Sequence, residues 1–198
     1  MAALIRSLPR GWGARFLYQR LLGIATLLVA LPLMRDLLVR RYPESGARLA
    51  ALAYLGLLAV AVIAMRVGGI SAAEAGIRSL AWRSAGLGTI AGLVIVLPVW
   101  RLPLMSMARV SWLLAVVIVE EVVFRGVLFA LLRRAGGLRL ALGGSAVAFT
   151  LAHVGSAGVP GLALVALAGL FLGLLRAMRG DLWAPAIAHL LIDLVSLP

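Results

Sequence analysis

Seven apolar runs, most of them flanked by arginines, constrain this chain more than any other feature of its sequence. They cover residues 16–34, 47–65, 84–100, 110–132, 138–155, 159–178 and 182–197. A helix needs about 20 apolar residues to cross roughly 30 Å of hydrocarbon. The expected fold is therefore all-α, a polytopic transmembrane helical bundle of about seven spans. The second and third runs are short, and their flanking arginines can snorkel to the interface. Arg20 interrupts the start of the first run, and no small-residue cleavage site precedes Arg35, so that run is read as an uncleaved helix rather than a signal peptide.

Composition excludes the soluble classes. The chain is 64% hydrophobic and 13% charged, with a mean hydropathy of +1.11, whereas soluble domains are about 45–50% apolar and about 25% charged. All 19 basic residues are arginine and only 7 residues are acidic, a net charge of +12. In one patch such a balance would suggest nucleic acid. Here the arginines fall between apolar runs, the pattern of a membrane protein, so a lipid bilayer and no nucleic acid is expected. With the N-terminus inside, the cytoplasmic segments hold twelve arginines and the outer loops six, which favours that orientation although Arg35, Arg40, Arg41 and Arg48 lie in the first outer loop. Without cysteine there is no disulfide, thiol nucleophile or cysteine–zinc site. Ser71 and Glu74 form a capping-box pattern ahead of residues 75–82, which predicts a short interfacial helix there. Gly88/Gly92 and Gly169/Gly173 have the small-xxx-small spacing of closely packed helices.

The informative residues are those that hydrocarbon should exclude. A charge at mid-bilayer costs about 2.5–3.5 kcal/mol on the mildest scales. Yet the fourth run contains Glu120, Glu121 and Arg125, the fifth His153, and the seventh His189 and Asp193. Both histidines and three of the seven acids are thus placed inside apolar helices. Residues four apart share a helix face, which pairs Glu121 with Arg125, Phe149 with His153, and His189 with Asp193. Arg125 then neutralises Glu121. Glu120 is rotated about 100° away and has no partner on its own helix, which suits a general base. With histidines from two further helices these parts can activate a water and stabilise an oxyanion. The same parts also match a zinc ligand set of one glutamate and two histidines, Glu120, His153 and His189. A proton-coupled transporter using those three residues as a relay is disfavoured, since no repeat is visible and the first three runs offer no polar pathway.

In order along the chain, Glu120–Glu121–x–x–x–Arg125, Phe149–x–x–x–His153 and His189–x–x–x–Asp193 resemble the three motifs of the CAAX protease and bacteriocin-processing family. Those proteins include prenyl proteases of the Rce1 type and bacterial Abi proteins, and are intramembrane endopeptidases. Phe124–Arg125–Gly126 and the segment from Gly180 through Pro185 to His189 agree as well. The likeness covers about residues 110–197. It implies a four-span catalytic core over residues 110–198, with residues 1–109 supplying N-terminal spans and the interfacial helix that pack onto it. By resemblance Glu120 activates the attacking water with His153 as its partner, Glu121 and Arg125 complete the first motif, and His189 with Asp193 corresponds to the oxyanion pair. An aspartate donates only when protonated, so Asp193 is cast as the orienter of His189. The expected activity is an intramembrane endopeptidase acting on a membrane-associated or prenylated protein or peptide, in the cytoplasmic membrane of a prokaryote. Zinc is the alternative to glutamate-activated water. A non-proteolytic membrane interaction or bacteriocin-immunity protein is the alternative to an enzyme.

Overall fold

In the computed structural model residues 12–99 and 106–196 are described, and among them there are helices and turns but no strand. Helix α1 spans Trp12–Arg41 and a 3₁₀ turn at Pro43–Ser45 leads into α2, Gly46–Gly68. After a connection over residues 69–81 come α3, Trp82–Val96, and α4, Met107–Glu120. The chain then passes without a break through a π-helix at Glu121–Leu128 into α5, Phe129–Ala152. Helices α6, Val159–Arg179, and α7, Trp183–Ser196, complete the fold.

The ends of these helices follow local chemistry. Ser106 caps α4 by accepting the Arg109 N–H at 3.3 Å, and Asp181 accepts the Trp183 N–H at 3.0 Å ahead of α7. Within α5 the helix kinks where Gly137 adopts φ 76°, ψ −166°, a conformation open to glycine.

Among the described residues seven helical stretches overlie the apolar runs, with three differences. Helix α1 continues past Met34 to Arg41, which puts Arg35, Asp36, Arg40 and Arg41 on a helix instead of in a loop. Arg133 and Arg134 are likewise helical, because the chain turns only at the Gly136–Gly137 kink. The interfacial helix over residues 75–82 does not form. Its capping box is present, with Ser71 N–H donating to Glu74 Oε2 at 3.0 Å and Glu74 N–H to Ser71 Oγ at 3.2 Å. However, Arg176 Nη2 takes the Glu74 carbonyl at 2.7 Å, and Gly76 turns left-handed at φ 76°. A carbonyl held by Arg176 is withdrawn from the bond that would extend a helix.

Large apolar side chains lie on the outside of the bundle as well as in its core. On α2, Leu52, Leu55 and Ile63 are exposed, as are Leu164 and Leu167 on α6, whereas Glu121 and Arg125 are fully buried. Two helical stretches, Pro43–Gly68 and Val159–Arg179, are long and apolar enough to cross a bilayer, and Trp82–Val96 and Trp183–Val195 are shorter apolar helices. The others carry charges within them: Arg35 and Asp36 in α1, Glu120 in α4, Glu121 and Arg125 in the π-helix, and Arg133, Arg134 and Arg139 in α5.

Packing brings the two halves of the chain together around the π-helix. Leu28 and Leu57 from α1 and α2 join Val123, Phe124, Leu128 and Phe149 in the main core, and Leu172, Leu175, Ala184 and Ala188 form a smaller one. Helix α3 lies on α7 so closely that a Cβ on Gly88 would stand 2.4 Å from the Ala184 carbonyl oxygen. Gly169 similarly faces Ala146 of α5, so both glycine pairs serve helix contact as their spacing suggests. At one end of the bundle, the connection over residues 69–81 is tied to the rest. Arg134 pairs with Glu74 at 2.6 Å, Leu182 N–H donates to the Gly76 carbonyl at 3.1 Å, and Trp183 Nε1 donates to the Arg78 carbonyl at 3.1 Å. The arginine-rich connections that the sequence places on one side therefore meet at one end.

Candidate active site

Glu120 and Glu121 sit near the middle of the long helical stretch from Met107 to the Gly136–Gly137 kink. The switch from α to π geometry begins at Glu121. A π-turn inserts an extra residue into the helical register, and such bulges are frequent at functional sites. Here it leaves Glu120 and Glu121 both turned inward, 5% and 1% exposed, although adjacent residues on an ideal helix diverge by about 100°.

Glu121 is the hub. Its Oε1 lies 3.0 Å from Arg125 Nη1, the pair expected from their four-residue spacing, and 2.8 Å from His189 Nδ1 of α7. The guanidinium of Arg125 stacks over the Phe149 ring at 4.0 Å, so its charge is met by a carboxylate on one side and a π face on another. Its Nε and Nη2 and the second oxygen of Glu121 have no hydrogen-bond partner among the described residues. The other ring nitrogen of His189 lies 3.8 Å from Glu120 Oε2 and 3.7 Å from Asp193 Oδ2. Asp193 is thus beside His189, as its spacing predicts, at ion-pair range. The ring is oriented by the hydrogen bond that its Nδ1–H donates to Glu121 Oε1.

His153 meets the cluster through Phe149, whose ring centre is 4.5 Å from that of His153 and 5.7 Å from that of His189. The α5 helix ends at His153, and its Nδ1 stands 2.8 Å from the Phe149 carbonyl oxygen. A carbonyl only accepts, so Nδ1 carries a hydrogen. Asp193 lies within electrostatic range of His153, His189, Glu120 and Glu121. All six site residues named from the sequence therefore belong to one neighbourhood, five of them in a contiguous polar cluster and His153 at its aromatic edge.

Three participants come from the N-terminal half, where sequence reasoning found no polar pathway. Tyr54 of α2 donates its hydroxyl to Glu120 Oε1 at 3.1 Å. Arg35 of α1 donates Nη1 to the Tyr54 hydroxyl oxygen at 2.5 Å and Nε to Asp36 Oδ1 at 2.7 Å. Glu120, without a partner on its own helix, thus has one from another. A tyrosine inside an apolar run was the available signal, because a buried phenol needs a partner.

Among the described residues no three His, Asp or Glu side chains are grouped as a metal ion would require. Glu120 and His189 approach each other, but His153 is not drawn in with them.

An all-helical bundle with apolar residues outward and acid–base groups buried together at mid-helix defines a protein of membrane type with the parts of a hydrolytic site. Residues 100–195 match the family described as type II CAAX prenyl endopeptidase Rce1-like. That match agrees with the resemblance carried by the three motifs. No curated protein and no solved structure matches the chain.

Proposed function

We propose that this protein is an intramembrane endopeptidase that hydrolyses a peptide bond in a membrane-associated or lipidated, CAAX-like protein or peptide. In this reading the seven helical stretches traverse the cytoplasmic membrane of a prokaryote with the N-terminus inside. The carrying observation is the buried cluster in which Glu120, Glu121–Arg125, His189 and Asp193 meet within residues that match the Rce1-like family.

Glu120 is the general base. Tyr54 occupies its Oε1, which leaves Oε2 to take a proton from water. His153 Nε2 accepts the second hydrogen of that water and aims its oxygen at the substrate carbonyl carbon. As the C–O bond forms, the carbonyl π pair moves onto oxygen and His189 Nε2–H donates to it. With Nδ1–H bonded to Glu121, that donation needs both ring nitrogens protonated. The carboxylates of Glu120, Glu121 and Asp193 around the ring compensate that charge. Collapse of the intermediate breaks the C–N bond, and the amine departs with the proton held by Glu120. The peptide bond must be unwound to be reached, so an extended tail is the fitting substrate.

The test is reconstitution of the full chain in lipid vesicles with a membrane-anchored peptide, with products identified by mass spectrometry in the presence and absence of chelator. Cleavage that persists with chelator is expected. Cleavage lost to chelator and restored by zinc would replace the glutamate–water mechanism with a metal one. Folded protein that leaves every anchored peptide intact would overturn the assignment.

A further inference from the structure

At the end of the bundle where the connection over residues 69–81 is tied down lies a cavity of about 310 Å³ that the hydrolytic cluster does not use. Arg78, Arg133, Arg134 and Arg176 line it, with Glu74 as the acid among its lining residues. The carboxylate of Glu74 is already consumed. Arg134 holds it through Nε and Nη2 at 3.2 and 2.6 Å, and Ser71 donates to it twice. Arg134 also donates to the Gly68 and Gly69 carbonyls at 2.8 and 3.1 Å.

The other three guanidiniums are not compensated in this way. Arg176 is 4% exposed and pinned by bonds from Nε to the Arg125 carbonyl at 3.0 Å and from Nη2 to the Glu74 carbonyl at 2.7 Å. Both partners are neutral backbone groups, and Arg176 lines the cavity. Among the described residues the side chains of Arg78 and Arg133 donate no hydrogen bond, and both bear on Arg176 with like charge, against the single opposite charge of Asp181, whose oxygens are taken by Ser84 and the Trp183 N–H. Three cations around one opening outnumber the one carboxylate, Asp181, that bears on Arg176, and a further anion relieves the repulsion that is left. Forked guanidiniums match the oxygens of a phosphate group better than a point charge would. Small residues, Ala73, Ala130 and Gly180, complete the wall and let such a group approach.

The surroundings are those of a membrane interface. Trp82 is 81% exposed, and Ile77, Leu80, Met178 and Trp183 also present apolar surface near this end. Aromatic and arginine side chains together mark the headgroup level, and basic pockets on the cytoplasmic side bind anionic headgroups.

We propose that this arginine-lined cavity is a phosphate-group site, built around Arg78, Arg133 and Arg176 and separate from the hydrolytic cluster. Its ligand is the phosphate of an anionic lipid headgroup or a free phosphate of the same chemistry. The proposal does not depend on proteolysis. Full-length protein is placed in nanodiscs of phosphatidylcholine, alone or with phosphatidylglycerol, and retained lipid is counted by native mass spectrometry. Inorganic phosphate is titrated into the pure phosphatidylcholine discs against chloride of matched ionic strength, with the thermal midpoint as readout.

Retention of phosphatidylglycerol, or stabilisation by phosphate beyond that of chloride, is expected and says which source fills the site. The double variant Arg78→Gln/Arg133→Gln should weaken that response roughly tenfold to a hundredfold, the effect of losing charge-assisted hydrogen bonds. Neither side chain has a protein partner among the described residues, so folding should survive. Should the double variant fail to fold, Arg133→Gln alone is the second variant, with a smaller loss expected. Equal response of variant and wild type, or equal effects of phosphate and chloride, would overturn the proposal.

Discussion

Replacing Arg125 by leucine should unfold this protein before it reports on catalysis. Arg125 is wholly buried and Glu121 is 1% exposed, with Nη1 and Oε1 3.0 Å apart. Leucine removes the cation and leaves the carboxylate in low dielectric with only His189 Nδ1, at 2.8 Å, beside it. Breaking a buried pair from one side costs about 3–5 kcal/mol. The contact over the Phe149 ring at 4.0 Å goes as well, worth about 2 kcal/mol where desolvated. On the scale of chains this long, the first loss alone corresponds to a midpoint drop of roughly 6–20 °C. The double variant Arg125→Leu/Glu121→Leu removes the stranded charge and should recover much of that drop. The assay is thermal unfolding of purified protein in one detergent, read by size-exclusion chromatography. An Arg125→Leu protein that melts with the wild type and has lost only activity would refute this reasoning and assign Arg125 to the reaction.

Tyr54→Phe removes the donor to Glu120 Oε1 and should lower kcat by roughly ten- to a hundredfold, the effect of one hydrogen bond to a charged group, with KM for an anchored peptide little changed. Unaltered kcat would remove Tyr54 from the site. Gly88→Ala forces a Cβ to 2.4 Å from the Ala184 carbonyl oxygen, so α3 must move off α7 and the protein should lose about 1–3 kcal/mol, as in other overpacked contacts; an unchanged unfolding midpoint would contradict that packing. The Glu74 carboxyl is held down to about 2 by Arg134, then by the backbone and hydroxyl of Ser71. A group depressed on folding stabilises above its unfolded value and loses that contribution as pH falls toward its folded one. The connection over residues 69–81 should therefore loosen between about pH 4.5 and about pH 2. Because Glu74 is half exposed the effect should be local and weakened by salt. Hydrogen exchange in residues 69–81 reads it, and equal protection across that range would contradict it.

What the sequence made legible was whatever a single helix determines. The four-residue spacings put Arg125 on Glu121 and Asp193 beside His189, and the small-residue pairs marked where α3 meets α7 and where α5 meets α6. What it hid was set between helices. Tyr54 and Glu120 are 66 positions apart, and no local pattern joins them. The bond from His189 to Glu121 spans 68 positions and displaces Asp193 from the orienting role that spacing alone suggested. The absent interfacial helix has the same origin. Ser71 and Glu74 form their box, but Arg176, about a hundred positions on, takes the carbonyl that would have carried the helix forward. Helix ends were least legible where charge and helicity coexist. Arg35 and Asp36 read as a loop, yet α1 runs through them because each pairs with the other and Arg35 with Tyr54.

The central claim is that Glu120 activates water in this cluster. The direct measurement is the yield of new peptide termini from a vesicle-anchored peptide, comparing wild type with Glu120→Gln in preparations with the same unfolding midpoint. Glutamine keeps the shape and can still accept from Tyr54, but it cannot take the proton. The account predicts termini from the wild type and none above background from Glu120→Gln. Equal yields from the two would contradict it.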